Sequence, residues 1–578
     1  MARYTVGVDF GTLSARALLV ETASGREVAT AVRDYPHGVI DAALPGSGVR
    51  LDPDWALQHP RDYIDCLGAT VREVMATSGV DPADVIGIGI DFTACTMLPT
   101  TADGTPLCEL PEWSQRPHAW VKLWKHHAAQ PQADRLNALA RERGGMFLDR
   151  YGGKISSEWF FPKALQILEE DPDVYHAADR LIEAQDWVIW QLAGHEARSL
   201  TAAGYKAIHT AGAYPEPDFL GALHPDLADV VAQKMSTDLH AAGTRVGGLT
   251  EQAAQRTGLA PGTAVAVANM DAHVSVPACK VTSPRRMAMV MGTSICHLVL
   301  GDDLAIAEGM CGVVADGVVP GWWGYEAGQP CVGDLFGWFV EHAVPGEYAA
   351  QARERGIDTF ALLEERAAAL APGETGIVAL DWWNGNRSTL VDVGLSGLLV
   401  GAGLATRAED IYRALLESTA FGTRVIIDAF ADAGVPVDDL VACGGLPDRS
   451  PLLMQIFADV TGRDIHVARS GQAPALGAAM YAAVAAGAQA GGYDSIDDAA
   501  AAMAHLRDEV YRPDPATAGM YERLYREYTT LYDHFGRGGN DVMHRLKEYR
   551  REARAAGTPR TAAQTRAAAE PGSAEAAR

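Results

Sequence analysis

A chain of 578 residues is longer than one hydrophobic core can hold, since single cores stop growing near about 250–300 residues, so at least two domains are expected. Apolar residues make up 48% of it, yet no run reaches the roughly 18 uninterrupted apolar positions of a membrane span. A formal charge of −26 opposes the basic footprint of a nucleic-acid or anionic-lipid binder, and eight cysteines without a Cys-x-x-Cys pair argue against a disulfide framework or a structural zinc.

The opening "MARYTVGVDF" lacks a basic segment followed by an apolar one, so a cytoplasmic location is expected. Within "VGVDFGTLSARALLV" (6–20) two β-prone runs flank a tip of Gly11, Thr12, Leu13 and Ser14. Such a tip can offer backbone N–H groups and two hydroxyls to phosphate oxygens while Asp9 holds a divalent cation; the alternative is an ordinary hairpin with a polar end. "VIGIGIDFTACTMLPT" (85–100) and "TAVAVANMD" (263–271) read as buried strands that deliver side chains at their ends. The stretch 87–92 carries two glycines of a dinucleotide fingerprint but Phe92 at the third position, so it reads as strand only. In "WKHHAAQ" the adjacent His126 and His127 would diverge by about 100° on a helix, and they are taken as helix-surface residues rather than ligands of one ion.

"RMAMVMGTSICHLVL" (286–300) repeats the strand, Gly-Thr turn, strand design around Gly292, Thr293 and Ser294, which predicts a duplicated architecture with one hairpin per half facing a shared cleft. Residues 409–430 predict a long, mostly buried helix, and 439–462 a strand, a Gly444-Gly445 loop and a helix. Residues 473–487 are nearly all small, so that helix can approach its neighbours backbone to backbone. Past 552 no large apolar residue occurs, and the tail 552–578 is expected to be disordered. A P-loop is excluded, because the single Gly-Lys step, Gly153-Lys154, is followed by Ile155.

In chain order, "VGVDFGTLSARALLV", "MAMVMGTSICHLVL" and "VACGGLPDRSPLLMQIFADV" resemble the first phosphate, second phosphate and adenosine motifs of the actin-like ATPases. "SSEWFFPKALQILEEDPDVY" (156–175) and "GLSGLLVGAGLATRAEDIYRALLESTAFG" (394–422) resemble the two signatures of the FGGY carbohydrate kinases within that group. "GIDFTACTMLPT", "WVKLWKHHAAQ" and "NMDAHVSVPA" resemble the branch that acts on L-ribulose.

The resemblance implies an α/β fold of two actin-like (ribonuclease H-like) domains enclosing a cleft. The first domain, 1–260, would carry the sugar and the phosphate/Mg2+ side; the second, 261–545, the nucleotide and the catalytic acid. It implies ATP-dependent phosphorylation of L-ribulose to L-ribulose 5-phosphate in arabinose catabolism. Another pentulose or a polyol is the alternative substrate, and a nucleotide-driven binding protein on the same fold the alternative class. Partners are then ATP and a small sugar, with no nucleic acid and no membrane, and with a second copy of the chain left open.

By the same resemblance Asp271 is the catalytic base, or else a capping acid for the helix that follows it. Asp9 is the Mg2+ residue; Gly11, Thr12 and Ser14 face the phosphates; Gly292 and Thr293 approach from the other half. Gly444 and Gly445 let the adenosine lie against backbone, or serve as turn residues with positive φ, or both. Ala94, Trp124, Lys206 and Glu326 line the sugar pocket; otherwise Lys206 is a snorkelling surface lysine and Glu326 an exposed acid beside the tryptophans.

Overall fold

The computed structural model describes residues 2–145 and 147–555. The apolar runs around both Gly-Thr turns form antiparallel hairpins, and each hairpin belongs to a seven-stranded sheet. The first sheet contains β1 (Tyr4–Phe10), β2 (Ser14–Glu21), β3 (Glu27–Asp34), β4 (Val85–Phe92), β5 (Arg245–Gly248), β6 (Ala264–Ala266) and β7 (Asn269–Met270). Its order is β5-β6-β4-β1-β2-β3, with β7 alongside β4. The second contains β8 (Arg286–Met291), β9 (Ile295–Gly301), β10 (Gly312–Ala315), β11 (Trp323–Gln329), β12 (Asp439–Cys443), β13 (Ile465–Ala468) and β14 (Leu506–Tyr511), in the order β10-β11-β9-β8-β12-β13-β14.

Read outward from each hairpin, the two sheets share one plan. Three antiparallel strands (β3-β2-β1, β11-β9-β8) are followed by two parallel steps (β1-β4-β6, β8-β12-β13) and a final antiparallel strand (β5, β14). The duplication expected from the two Gly-Thr turns is thus present as topology. It also makes the loop after β4, which holds Ala94, the counterpart of the Gly444-Gly445 loop after β12. Because β6 and β7 pair in parallel with β4, the first sheet runs on to Met270, past the boundary expected at 260.

Five helices position the cleft: α1 (Phe160–Glu170), α2 (Asp271–Ala278), α3 (Gly333–His342), α4 (Ala408–Asp432) and α5 (Ala473–Ala486). The predicted stripe of α4 is buried along most of its length, where Arg413 and Glu417 pair one turn apart at 2.9 Å. The small-residue helix α5 leaves the second half of the chain and packs on the first sheet and on α2, and glycines on the facing surfaces make this possible. A Cβ at Gly7 would lie 1.8 Å from Ala475 O, at Gly87 2.4 Å from Ala482 O, and at Gly89 2.3 Å from Ala478 O. Gly87 and Gly89, the glycines of the incomplete dinucleotide pattern, therefore serve helix contact.

Two expectations need correction. His126 and His127 lie in a turn before the helix Gln130–Glu142, not on a helix surface. His126 is buried against Trp55, its Nδ1 accepting from Ala56 N (3.2 Å) and its Nε2 facing Gln166 Oε1 (2.9 Å); adjacency alone does not reveal such a turn. The helix Val542–Ala555 takes in residues 552–555, expected to be disordered; 556–578 lie outside the described residues. Among the described residues no helix is long and apolar enough to cross a membrane, and all eight cysteines are free thiols.

Candidate active site

The two hairpin tips open on one cavity of about 670 Å³ between the sheets, to which the first contributes Thr12 and the second Thr293 and Ser294. Each tip is closed by its own backbone: Gly11 N donates to Ser14 O (3.0 Å) and Gly292 N to Ser294 O (2.9 Å). Neither glycine is demanded by the protein itself, for neither has positive φ, and a Cβ would meet nothing nearer than 3.5 Å at Gly11 and 4.0 Å at Gly292. What a glycine adds at these positions is free backbone approach for a ligand. Ser14 stands as the first residue of β2, in register with Asp34. Gly444 differs: φ is +96°, and a Cβ would lie 2.3 Å from Met291 O, so the turn and the second hairpin both require glycine. At Gly445 a Cβ would have nothing within 4 Å, which leaves the surface of that residue open.

Acids gather where the first sheet ends. Asp9 on β1 and Asp91 on β4 are side by side in register, and Asn269 on β7 neighbours Asp91 on its other flank. Burial raises the Asp9 carboxyl and Arg16, at 3.5 Å, pulls it back. Asp91 is fully buried, neither of its oxygens has a hydrogen-bond partner, and burial together with Asp9 and Asp271 holds its carboxyl well above the usual range. Two adjoining carboxyls, one with unsatisfied buried oxygens, form a hard oxygen donor set that suits a divalent cation such as Mg2+. Asp91 is not among the residues singled out from the sequence, although "GVDF" (7–10) and "GIDF" (89–92) repeat one pattern and come to lie in register, Phe10 stacking on Phe92 at 4.8 Å.

Asp271 is the first residue of α2 and lines the cavity. Burial pushes its carboxyl up to about 6, against the opposing bond from Ala272 N to Oδ1 (2.7 Å). The residue thus accepts a bond from its neighbour at the helix start, where Met270 is the N-cap, and presents a carboxyl to the cavity.

Ala94, Trp124, Lys206 and Glu326 line the same cavity, so the structure brings all four together with Asp271. Lys206 is not a surface lysine: its side chain is 12% exposed and its Nζ lies 3.4 Å from Glu326 Oε2. Glu326 is 6% exposed; burial favours its neutral form, but Lys206, His273 and Arg387 outweigh that and hold the carboxyl below the usual range. Trp124 Nε1 donates to Thr12 Oγ1 (3.1 Å), joining this side chain to the first hairpin tip. The sequence did not single out His273 (Nε2 3.5 Å from Glu326 Oε2), nor Arg387 and Glu158, which also line the cavity. His273 lies two residues beyond Asp271 in "NMDAH", a findable position, whereas "GNRS" around Arg387 has no pattern that marks it.

Two lobes of one topology, with a hairpin from each and a buried acid at one cavity, are the arrangement of the actin-like phosphotransferases. Sequence models of the FGGY family of carbohydrate kinases match residues 4–276 (N-terminal domain) and 287–486 (C-terminal domain). The chain belongs to this family and is an ATP-dependent carbohydrate kinase. It is 57% identical to a ribulokinase of Anoxybacillus flavithermus over 554 residues, covering 96% of this chain and 98% of the relative. With a ribulokinase of Mycolicibacterium smegmatis the identity is 52% over 552 residues, 95% and 97% of the two chains. Among solved structures, xylulose kinase from Rhodospirillum rubrum superposes with a TM-score of 0.74 at 24% identity, covering 92% of this chain and 98% of that one, a likeness of fold.

Proposed function

We propose that this protein transfers the γ-phosphoryl group of ATP to L-ribulose, giving L-ribulose 5-phosphate and ADP, in the cytoplasm. The observation that carries the substrate is the identity above 50% to proteins named ribulokinase over nearly the whole of both chains. The free cysteines accord with a reducing compartment.

In this reading the sugar lies along Ala94, Trp124, Lys206 and Glu326 with its acceptor hydroxyl at Asp271. The Asp271 carboxylate takes the hydroxyl proton as the sugar oxygen bonds to the γ-phosphorus, and the bond from that phosphorus to the ADP oxygen breaks. Thr12, Thr293 and the Gly11 and Gly292 turns steady the phosphates, and the Gly444-Gly445 loop lies along the adenosine. Asp9, with Asp91 beside it, would hold Mg2+, which when bound disperses charge on the phosphoryl oxygens. Closure of the lobes keeps water from competing as acceptor.

A coupled ADP-release assay over L-ribulose, D-ribulose, both xyluloses, ribitol and glycerol tests this. The highest kcat/KM is expected for L-ribulose. A clear preference for D-xylulose or glycerol would defeat the substrate assignment, and ADP release indifferent to every sugar would favour a nucleotide-driven binding protein.

A further inference from the structure

Lys163 is fully buried as the fourth residue of α1, a helix packed into the first lobe through Phe161, Ala164, Leu165 and Leu168. An ammonium group taken out of water is costly unless its hydrogens are satisfied, and burial lowers its pKa accordingly. Its partners are unusual: Nζ donates to two main-chain carbonyls, Cys95 O at 2.6 Å and Leu123 O at 2.8 Å. It makes no ion pair among the described residues; Glu183 and Glu158 act on it from further off.

Each of those carbonyls stands one residue from a side chain of the sugar end. Cys95 follows Ala94, and the Leu123 carbonyl is bonded to the nitrogen of Trp124. The same two segments are joined again by Trp124 N donating to Thr96 Oγ1 (3.2 Å), with Thr96 Oγ1 in turn 3.2 Å from Thr93 Oγ1. Trp124 then reaches Thr12 at the first hairpin tip. Lys163 is thus the one charged group, among the described residues, that ties the loop after β4 to the segment before Trp124, from behind the cavity wall and without lining the cavity itself. The other fully buried lysine of this lobe, Lys122, spends its ammonium on the Gln166 side chain and the Trp55 ring.

We infer that Lys163 is a positioning residue for sugar recognition: its ammonium fixes the spacing between Ala94 and Trp124, and so the width of the sugar end of the cavity. The inference rests on the reading of that end as the sugar site. The test uses the full chain with Lys163→Met, which keeps the apolar stem and removes the three donors, and Lys163→Gln, which keeps two donors on a shorter arm.

The sugar is the one that the wild-type protein phosphorylates best in the ADP-release panel, so a failure of the L-ribulose assignment changes the sugar used and leaves this test standing. Sugar KM is expected to rise about fivefold or more in Lys163→Met, and by less in Lys163→Gln, while the Kd for ADP, measured by calorimetry, stays within about twofold. Loss of Tm alone would mark a merely structural role. The inference is overturned if Lys163→Met, or Lys163→Gln where the first does not fold, keeps sugar KM below that rise whatever its Tm, or if ADP affinity falls in step with sugar affinity.

Discussion

Asp271→Asn is expected to lower kcat by roughly 10²–10⁴-fold, the usual worth of a positioned general base, while the Kd for ADP stays within about twofold. The amide keeps the shape of the side chain and can still accept from Ala272 N, so the helix start survives and only the proton acceptor is lost. A pH profile supplies the sign. A base must be unprotonated to act, and burial has pushed this carboxyl up to about 6. In the wild-type protein kcat/KM for the sugar should therefore be flat above that pH and fall about tenfold per pH unit below it. Stopped assays from about pH 4.5 to 8 check both statements, and the Asn variant should lose that inflection. A kcat within about tenfold of wild type in Asp271→Asn would remove this residue from the chemistry.

The second large effect is expected at a residue that does not line the cavity, Gly477 on α5. A Cβ there would sit 1.9 Å from Val274 O and 2.7 Å from Val274 C, both backbone atoms of α2. Neither helix can yield by turning a side chain, so Gly477→Ala must push α2 away. Overpacking of this kind typically costs about 1–3 kcal/mol, occasionally more, which calorimetry would register as a Tm lower by several degrees. Activity should fall as well, since α2 begins with Asp271, three residues before Val274. Misplacing a reacting group by about 1 Å can cost on the order of 10²-fold. Gly471→Ala is the control: it lies in the segment before the same helix, has no neighbour within 4 Å of its Cβ position, and should leave Tm and kcat unchanged.

These two residues illustrate which parts of the protein can be read from its sequence. The paired hairpins, the long buried helix and the small-residue helix are all legible, because each rests on a local pattern whose physical meaning does not depend on distant partners: a Gly-Thr turn between apolar runs, an apolar stripe, a run of alanines. The gathering of Asp271, Trp124, Lys206 and Glu326 at one cavity is legible through resemblance alone. Asp91 stays hidden because a carboxyl at a strand end acquires significance from what stands beside it, here Asp9, and register between β1 and β4 is a long-range fact. His126 is misplaced for a related reason, since its burial depends on Trp55 and Gln166, both remote in the chain. The first lobe extends about ten residues further than expected because β6 and β7 are short and show themselves as members of the first sheet only by pairing with β4.

Phosphoryl transfer by this protein requires above all that the Asp271 carboxyl meet the sugar hydroxyl that faces the terminal phosphorus. A crystal structure of the protein with L-ribulose and a non-hydrolysable ATP analogue tests that directly. It should show an Asp271 carboxyl oxygen within hydrogen-bond reach of the C5 hydroxyl, with that hydroxyl in line with the γ-phosphorus and the phosphates between the turns at Gly11 and Gly292. A carboxyl turned from the γ-phosphorus with no room for an acceptor between them, or a sugar bound away from Lys206 and Glu326, would contradict it.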